Sequence, residues 1–444
     1  VHQFYDEAEM KVVVIGAGYV GLVSAVCFSD MGHEVVCVDN DESKIKKLKQ
    51  GVIPIYEPSL DKILDKNVKN GRLDFTTDIA SVLEGAEVIL LAVGTPTEEE
   101  TGRADLKYVF SAAHEVAVNI RHKAVIVTKS TVPVGTGAQV ADIFNKVCPA
   151  IGCEVVSNPE FLREGVAIYD FMNPDRIIVG ADSIDSKNIM QRLYRSLIGA
   201  GTPILFTNIA TAELIKYASN AFLATKIAFA NEISDICEGV GANVDMVIKG
   251  MGMDKRIGGS YMHPGPGYGG SCFPKDTLAL KYIATDAGFP TAIVESVIRS
   301  NDDRRKRMVK KIIAANDGGV KGKNIAILGL AFKANTDDMR YSPSLVIIPD
   351  LIDQGANIYA YDPQSMNEAK KELQHLDINW CDDVVSAITG SDALVILTEW
   401  EEFKKLDIAM VKSKLKGNII IDLRNILSQE DVLSHGLKYI SVGR

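Results

Sequence analysis

The chain has 444 residues, of which 47% are hydrophobic and 24% charged, an ordinary globular mixture that excludes a wholly disordered or fibrous protein. At ~100–200 residues per domain there is material for two to four domains. Its 48 basic and 58 acidic residues leave a net charge of -10 with no long basic run, which argues against nucleic-acid backbone binding but leaves room for a basic pocket around a small anion.

The first nine residues, VHQFYDEAE, carry three acids and no apolar core, and read as a short extension rather than a signal peptide. No apolar run reaches the ~18–20 residues that span a bilayer, so no membrane partner is expected. Seven cysteines (Cys27, Cys37, Cys148, Cys153, Cys237, Cys272, Cys381) include no CxxC pair. That disfavours a disulfide framework or a zinc cluster and fits a reducing cytoplasm, with no metal expected.

From Met10 short continuous apolar runs alternate with helical patterns. Strands are expected in Lys11–Gly18, His33–Asp41, Ala86–Pro96 and Ala124–Val132, with EVVSNPEF and Arg176–Ala181 extending the series to about residue 205. Such runs imply βαβ units and a parallel sheet covered on both faces. The first strand leads into Gly16-Ala17-Gly18-Tyr19-Val20-Gly21, a GxGxxG between strand and helix, and Asp39 closes the second strand. There Gly16 allows a tight turn, Gly18 admits a pyrophosphate, and Gly21 allows close helix–strand packing, while the helix N-terminus faces the anion. Asp39 would hydrogen-bond an adenosine ribose and repel a 2′-phosphate, so the expected cofactor is NAD rather than NADP. Lys44 either reaches the same ribose or phosphate or is merely solvated. Ligands in open α/β sheets bind at the carboxyl ends of strands, which selects Gly94-Thr95-Pro96 and Ser130-Thr131, although a threonine there also suits a helix cap.

Ile209–Val240 has no alternation, no proline and no glycine before Gly239, and repeats Leu214, Tyr217, Ala218, Ala221, Phe222, Thr225, Ala228 and Phe229 at three- and four-residue steps. One long helix is expected, ~45 Å in length, suited to linking two domains and packing against another subunit. Asp254–Lys275 is a loop dense in Gly and Pro that carries Cys272 in GYGGSCFPKD, and long loops of this kind are commonly functional. From Lys323 the βαβ grammar resumes in NIAILGLAF, ANIYAYDP, ALVILTEW and NIIIDLRN, without a glycine fingerprint. The expected class is α/β: two Rossmann-like, doubly wound parallel-sheet domains joined by a long central helix and a helical dimerisation region. The corresponding segments are residues 10–205, 206–305 and 320–444.

Cys272 has Lys275 and Asp276 close behind; a neighbouring cation favours the thiolate, and the flanking glycines let a substrate carbon approach. Beside a nicotinamide, such a thiol suggests oxidation beyond the aldehyde through a thiohemiacetal and a thioester that water hydrolyses. The bland alternative is a packed loop cysteine. Lys216 and Asn220, at i and i+4 of the long helix, are either a solvated stripe or a pair that stabilises an oxyanion and orients a water. Glu160 and Glu164 of NPEFLREG are expected near a helix start, with Asn158 as cap and Pro159 in the first turn, as dipole partners or as a base for hydrolysis.

In order and spacing, GAGYVG, GTP, KSTVPVGT, NPEFLREG, AELIKYASNAF, GYGGSCFPKD, LAFKANTDDMR and IIDLRN resemble the UDP-glucose 6-dehydrogenases of the UDP-glucose/GDP-mannose dehydrogenase family, from Met10 to about Arg424. The resemblance implies NAD-dependent, two-step oxidation of a sugar C6 hydroxyl to a carboxylate, with UDP-glucose as substrate and two NAD+ consumed. It implies Cys272 as nucleophile, Lys216 and Asn220 at the oxyanion, Asp276 acting through a water that Thr131 positions, and Glu160 in hydrolysis. Near the cofactor it places the glycine loop, Asp39, Lys44, Thr95, Thr131, Glu164, Lys275 and Arg340. Around the nucleotide sugar it places Glu160, Phe161, Leu162, Glu164, Lys216, Asn220, Tyr261, Gly269, Lys333 and Arg424, with Arg256 reaching a neighbouring subunit's site. It also implies a homodimer through the central helix. A pyrophosphate-linked sugar is a dianion, which Lys333, Arg256 and Arg424 suit, although Lys333 alone would read as a strand-end lysine. Competing readings are a dehydrogenase of GDP-mannose or a UDP-N-acetylhexosamine such as UDP-N-acetylmannosamine, a 3-hydroxy-acid dehydrogenase, and a non-catalytic NAD-binding sensor. The hydroxy-acid class explains neither the Cys272 loop nor the second α/β domain, and intact Cys272, Lys216 and Glu160 argue against the sensor.

Overall fold

A continuous β-branched run has no solvent-compatible face, so each strand of this kind needs apolar cover on both sides. In the computed structural model, which describes residues 9–98 and 101–444, these runs form two sheets. Apart from Glu9, the N-terminal extension lies outside the described residues. The chain divides into two compact units, the first ending at Ala218 and the second beginning at Ser219.

In the first unit the strands are β1 (Lys11–Ile15), β2 (Glu34–Val38), β3 (Leu73–Thr76), β4 (Val88–Leu91), β5 (Val125–Thr128), β6 (Glu154–Ser157), β7 (Ile177–Gly180) and β8 (Ile204–Thr207). They lie in the order β3-β2-β1-β4-β5-β6-β7-β8. Successive side chains of a strand point to opposite faces; accordingly Val12 and Val14 join one buried cluster while Val13 and Ile15 join another. From β1 to β6 every pairing is parallel. The expected parallel sheet is thus present, with one reversal beyond β6. β6 meets β7 antiparallel at Ser157↔Gly180, and β8 runs parallel to β7. A parallel return needs a full crossover, usually a helix. The β6–β7 connection instead contains an irregular turn and a helix of only 6 residues, Ala167–Met172.

The second unit carries β9 (Asn324–Leu328), β10 (Asn357–Tyr361), β11 (Ile378–Trp380), β12 (Ala393–Ile396), β13 (Ile419–Asp422) and β14 (Lys438–Ile440). Their order is β11-β10-β9-β12-β13-β14, with parallel pairing throughout. Ile325 and Ile327 face one apolar cluster, Ala326 and Leu328 the other. Strand order reverses beside β1 in the first sheet and beside β9 in the second, and the crevice at such a switch point is where ligands enter.

The long helix runs Ile209–Val240, with the expected bounds, and is continuous through the division between the units. Asn208 starts it by accepting from the Thr211 amide at 2.8 Å. Gly241, at φ +72°, ends it in the left-handed conformation that glycine adopts without strain. Among the described residues no helix is long and apolar enough to cross a membrane.

Candidate active site

The glycine fingerprint is built by exclusion. A Cβ on Gly16, at φ +105°, would stand 2.7 Å from the Ala92 carbonyl oxygen, and one on Gly21 would stand 1.8 Å from that of Gly16. Gly18 has open space before it and precedes the helix Tyr19–Asp30, so amide donors and the positive helix end face that space. Asp39, at the carboxyl end of β2, accepts from the Ala17 amide and the Lys44 ammonium, both at 2.8 Å, and from the Asp41 amide at 3.0 Å. Burial pushes this carboxyl up, but Lys44 and the two amides hold it below the usual carboxylate range. Open space over Gly18 and an ionised acid at the second strand fit a dinucleotide with a free ribose 2′-hydroxyl. Thr95 donates to the Thr131 carbonyl at 3.0 Å and Ser130 to that of Val93 at 2.7 Å, which joins the two strand-end loops.

Tyr19 donates to the carboxylate of Glu57, which also accepts from the amides of Gly165 and Ala167, each at 2.7 Å. Burial and this bond push the Tyr19 phenol up, and the nearby Glu164 charge adds to the effect. Glu57 therefore fastens the turn containing Glu164 to the fingerprint helix. Residues 158–163 are irregular and the next helix begins only at Ala167, so Glu160 and Glu164 do not sit at a helix start as expected. The physical reason is that stronger partners take the groups that would build one. Asn158 does not cap a helix; its side chain donates to the Ile178 carbonyl at 2.7 Å and accepts from Lys129 and Tyr194. The buried Glu160 accepts from Lys216 Nζ at 2.9 Å and from the Leu162 amide at 2.5 Å. Burial raises its carboxyl, but the charge and hydrogen bond of Lys216, the Leu162 amide and the Lys129 charge together hold it below the usual range. Phe161 lies beside this pair, with the Lys216 ammonium 5.4 Å and the Arg176 guanidinium 3.8 Å from its ring centroid.

In the second unit Cys272 forms the N-cap of the helix Phe273–Asp286, with Pro274 in the first turn. A thiol at a helix N-terminus has its thiolate stabilised by the dipole. Asp276, 1% exposed, accepts from Asn220 at 2.6 Å and from Lys275 at 2.7 Å. The cysteine loop is fixed from two sides. Asn231 accepts from the Gly265 amide at 2.8 Å, Arg304 donates to the Gly265 carbonyl at 2.9 Å, and Asn301 bonds both backbone groups of Tyr268. On the other side the Gly270 amide donates to the Arg340 carbonyl at 2.8 Å, and a Cβ on Gly269 would lie 2.4 Å from the Tyr341 carbonyl oxygen.

Other residues expected around the nucleotide sugar, and Arg340, expected near the cofactor, lie in this unit. Arg424 donates to the carbonyls of Leu397 and Phe332 at 2.7 and 2.9 Å and stands 3.2 Å from a Cβ position on Gly265. The Lys333 ammonium is 5.3 Å from the Phe332 ring centroid. Tyr261, at φ +62°, packs edge-on to Phe273 at 6.1 Å. Arg340 pairs with Asp338. Arg256 is 88% exposed and pairs with Asp254 beside it. Glu57, Lys129, Asn231, Asn301 and Arg304 were not expected at the site. All seven cysteines are free, and among the described residues no group of His, Cys, Asp and Glu is placed to hold a metal ion.

In sequence the chain matches the UDP-glucose/GDP-mannose dehydrogenase family in three segments. These are its NAD binding domain over residues 10–198, its central domain over 210–303 and its UDP binding domain over 326–429. It is 52% identical over 437 residues to the UDP-glucose 6-dehydrogenase of Rhizobium meliloti, covering 98% of this chain and 100% of that protein. It is 48% identical over 435 residues to UDP-glucose 6-dehydrogenase TuaD of Bacillus subtilis, covering 98% and 93%. Among solved structures, a UDP-glucose dehydrogenase from Pyrobaculum islandicum superposes with a TM-score of 0.89 at 36% identity, over 98% of this chain and 97% of that one. A UDP-D-ManNAc dehydrogenase from Pyrococcus horikoshii gives 0.84 at 29%, over 98% and 99%. The glycine cradle with its acid, the cysteine-capped helix and these full-length matches agree: the chain belongs to the UDP-glucose/GDP-mannose dehydrogenase family.

Proposed function

We propose that the chain oxidises the C6 hydroxyl of UDP-glucose to the carboxylate of UDP-glucuronate in two steps, with two NAD+ reduced per sugar. Bound NAD+ supplies the hydride acceptor for each oxidation. The observation that carries this reading is a buried carboxylate held, within each unit, by a polar side chain of the long helix. Lys216 holds the buried Glu160, and one turn on Asn220 holds the buried Asp276, which lies in the first turn of the helix that Cys272 caps.

In the first step the C6 hydroxyl passes its proton to a water held by Asp276 and Thr131, the carbon loses a hydride, and an aldehyde forms. The Cys272 thiolate adds to that carbon, and the carbonyl electron pair moves to oxygen, where Lys216 and Asn220 donate to it. Loss of the second hydride restores the carbonyl as a thioester. Asp276 and Thr131 hold a water, Glu160 takes its proton, and attack at the carbonyl expels Cys272 as thiolate and leaves the carboxylate. Asp39, Lys44, Thr95, Thr131, Glu164, Lys275 and Arg340 serve the cofactor alongside the glycine loop. Phe161, Leu162, Tyr261, Gly269, Lys333 and Arg424 hold the nucleotide sugar, with Arg256 contributed to a second copy. The division of labour is residues 10–205 for the cofactor, 206–305 for the thiol and dimer contact, and 320–444 for the UDP moiety. The working form is a cytoplasmic homodimer, supported by the apolar residues Phe222, Phe229 and Ile236 that the long helix exposes.

The test is NADH formed per mole of limiting UDP-glucose, with GDP-mannose and UDP-N-acetylmannosamine assayed in parallel. Two NADH per UDP-glucose, with little turnover of the others, is the expected result. One NADH would remove the role of Cys272, and two from a parallel sugar alone would change the substrate.

A further inference from the structure

Lys129 follows β5 and is 4% exposed, an expensive place for an ammonium. Its hydrogen-bond partners are neutral: Asn158 Oδ1 at 3.0 Å and the Tyr194 hydroxyl at 3.1 Å. The rings of Phe171 and Tyr194 each stand 5.8 Å from the same nitrogen. Tyr194 also donates to Asn158 Oδ1 at 2.6 Å, and the Asn158 amide donates to the Thr128 carbonyl at 3.0 Å. Asn158 is thus held on its backbone and side chain, and only Pro159 separates it from Glu160.

We infer that Lys129 is a positioning residue for Glu160: it anchors the turn that carries this carboxylate and supplies, with Lys216, a second positive charge acting on it. The charged groups around the carboxylate are Lys216 from the long helix and Lys129 from the end of β5. The Tyr194 and Phe171 rings that lie beside the Lys129 ammonium are uncharged. Electrostatics agree with the geometry. The Lys129 charge adds to that of Lys216 in keeping Glu160 ionised, while burial brings Lys129 itself down to about 8. A lysine that served packing alone would be replaced at no electrostatic cost by an apolar chain of its own length.

The inference rests on the hydrolytic role given to Glu160, so the experiment separates the two. Full-length protein with NAD+ in excess over enzyme, and enzyme in excess over UDP-glucose, is acid-quenched across pH 6–9. The sugar adduct on Cys272 is followed by intact mass, and NADH by absorbance. Removing a positive charge from beside Glu160 raises its pKa, so in Lys129→Met the acidic limb of adduct hydrolysis should move to higher pH. NADH formation should keep its profile, and KM for UDP-glucose should stay within about twofold. Tyr194→Phe keeps the ring and removes one oxygen that stabilises the ammonium. It should move the limb in the same direction by less, and it carries the test if Lys129→Met does not fold. Glu160→Gln should slow hydrolysis by ~10²-fold or more. If Glu160→Gln hydrolyses normally, both roles fall. If it is slow but neither other variant moves the limb, Lys129 is structural and this inference alone is overturned.

Discussion

Asp39 shows how one side chain is prepared before any ligand arrives. Three donors hold its carboxylate in place at the end of β2, and its pKa lies below the ordinary value. A depressed pKa contributes stability that is present above the unfolded value near ~4 and is lost as pH falls through the folded one. Asp39→Asn should therefore lower the melting temperature at pH 7 and cost less at pH 3; an equal loss at both would place the effect in packing rather than charge. The same change removes the repulsion felt by a 2′-phosphate. The preference for NAD+ over NADP+, read from kcat/KM, is expected to shrink by about tenfold or more, a loss of ~1.4 kcal/mol in discrimination. At Cys272 the expectation is simpler. Cys272→Ala removes the atom to which the proposed route attaches the acyl group, so UDP-glucuronate formation should fall by more than ~10³-fold while NAD+ still binds. Product formation near the original rate would exclude covalent capture. The second sheet offers an instructive contrast to Asp39. Asp362 closes β10 in the corresponding place, but its oxygens already accept from Leu330, Ala331, Gln364, Ser365 and Trp400. A carboxylate so completely used has no capacity left for a ribose, which agrees with the missing glycine fingerprint there.

Among the elements, the turn from Asn158 to Val166 depends most on residues distant in sequence. Glu57 takes the Gly165 and Ala167 amides and the Tyr19 hydroxyl together, in a buried position. Glu57→Ala should leave two buried amides without an acceptor and cost ~2–4 kcal/mol, seen as a lower denaturant midpoint with weaker NAD+ binding. A stability change without any loss of NAD+ affinity would show that the turn does not shape the cofactor site. This turn also marks the limit of what local sequence can say. NPEFLREG has the residues of a helix start, but the amide of its last residue, Gly165, is claimed by Glu57 and its asparagine by Lys129 and Tyr194, all remote in the chain. The long helix was legible to its ends because its signals are local: Asn208, an unbroken apolar repeat, then Gly241. The interior strands were legible for the same reason. The strands not anticipated, β3, β8, β11 and β14, are the four edges of the two sheets. An edge strand buries one face at most, so it lacks the continuous apolar run by which its neighbours are recognised. At the site, the glycine cradle, Asp39, Cys272 and the Lys216–Asn220 spacing were readable, whereas the clamp of Asn231, Asn301 and Arg304 on the cysteine loop joins segments that no short motif connects.

For the molecule as a whole, the long helix leaves a stripe of apolar surface uncovered. Phe222, Phe229 and Ile236 are 66%, 46% and 52% exposed, and they recur at intervals of seven, which keeps them on one stripe with a drift of ~20° per heptad. Beside the stripe Phe229 lines a groove with Thr225, Ala228, Ile293 and Val297. A contiguous apolar stripe of this kind marks an association surface, and a helix meeting its own copy about a twofold axis brings the same residues to both sides. Phe229→Glu places a charge in the middle of that contact, where a two-copy interface would bring two like charges together. Sedimentation velocity at micromolar concentration is expected to show the unaltered chain as a dimer and Phe229→Glu as a monomer with an intact circular dichroism spectrum. If Arg256 serves a neighbouring site, the monomer should also lose turnover of UDP-glucose while retaining NAD+ affinity, because the glycine loop and Asp39 belong to its own first unit. A variant that stays dimeric would move the interface elsewhere. One that becomes monomeric yet keeps full activity would leave Arg256 without a role across the interface.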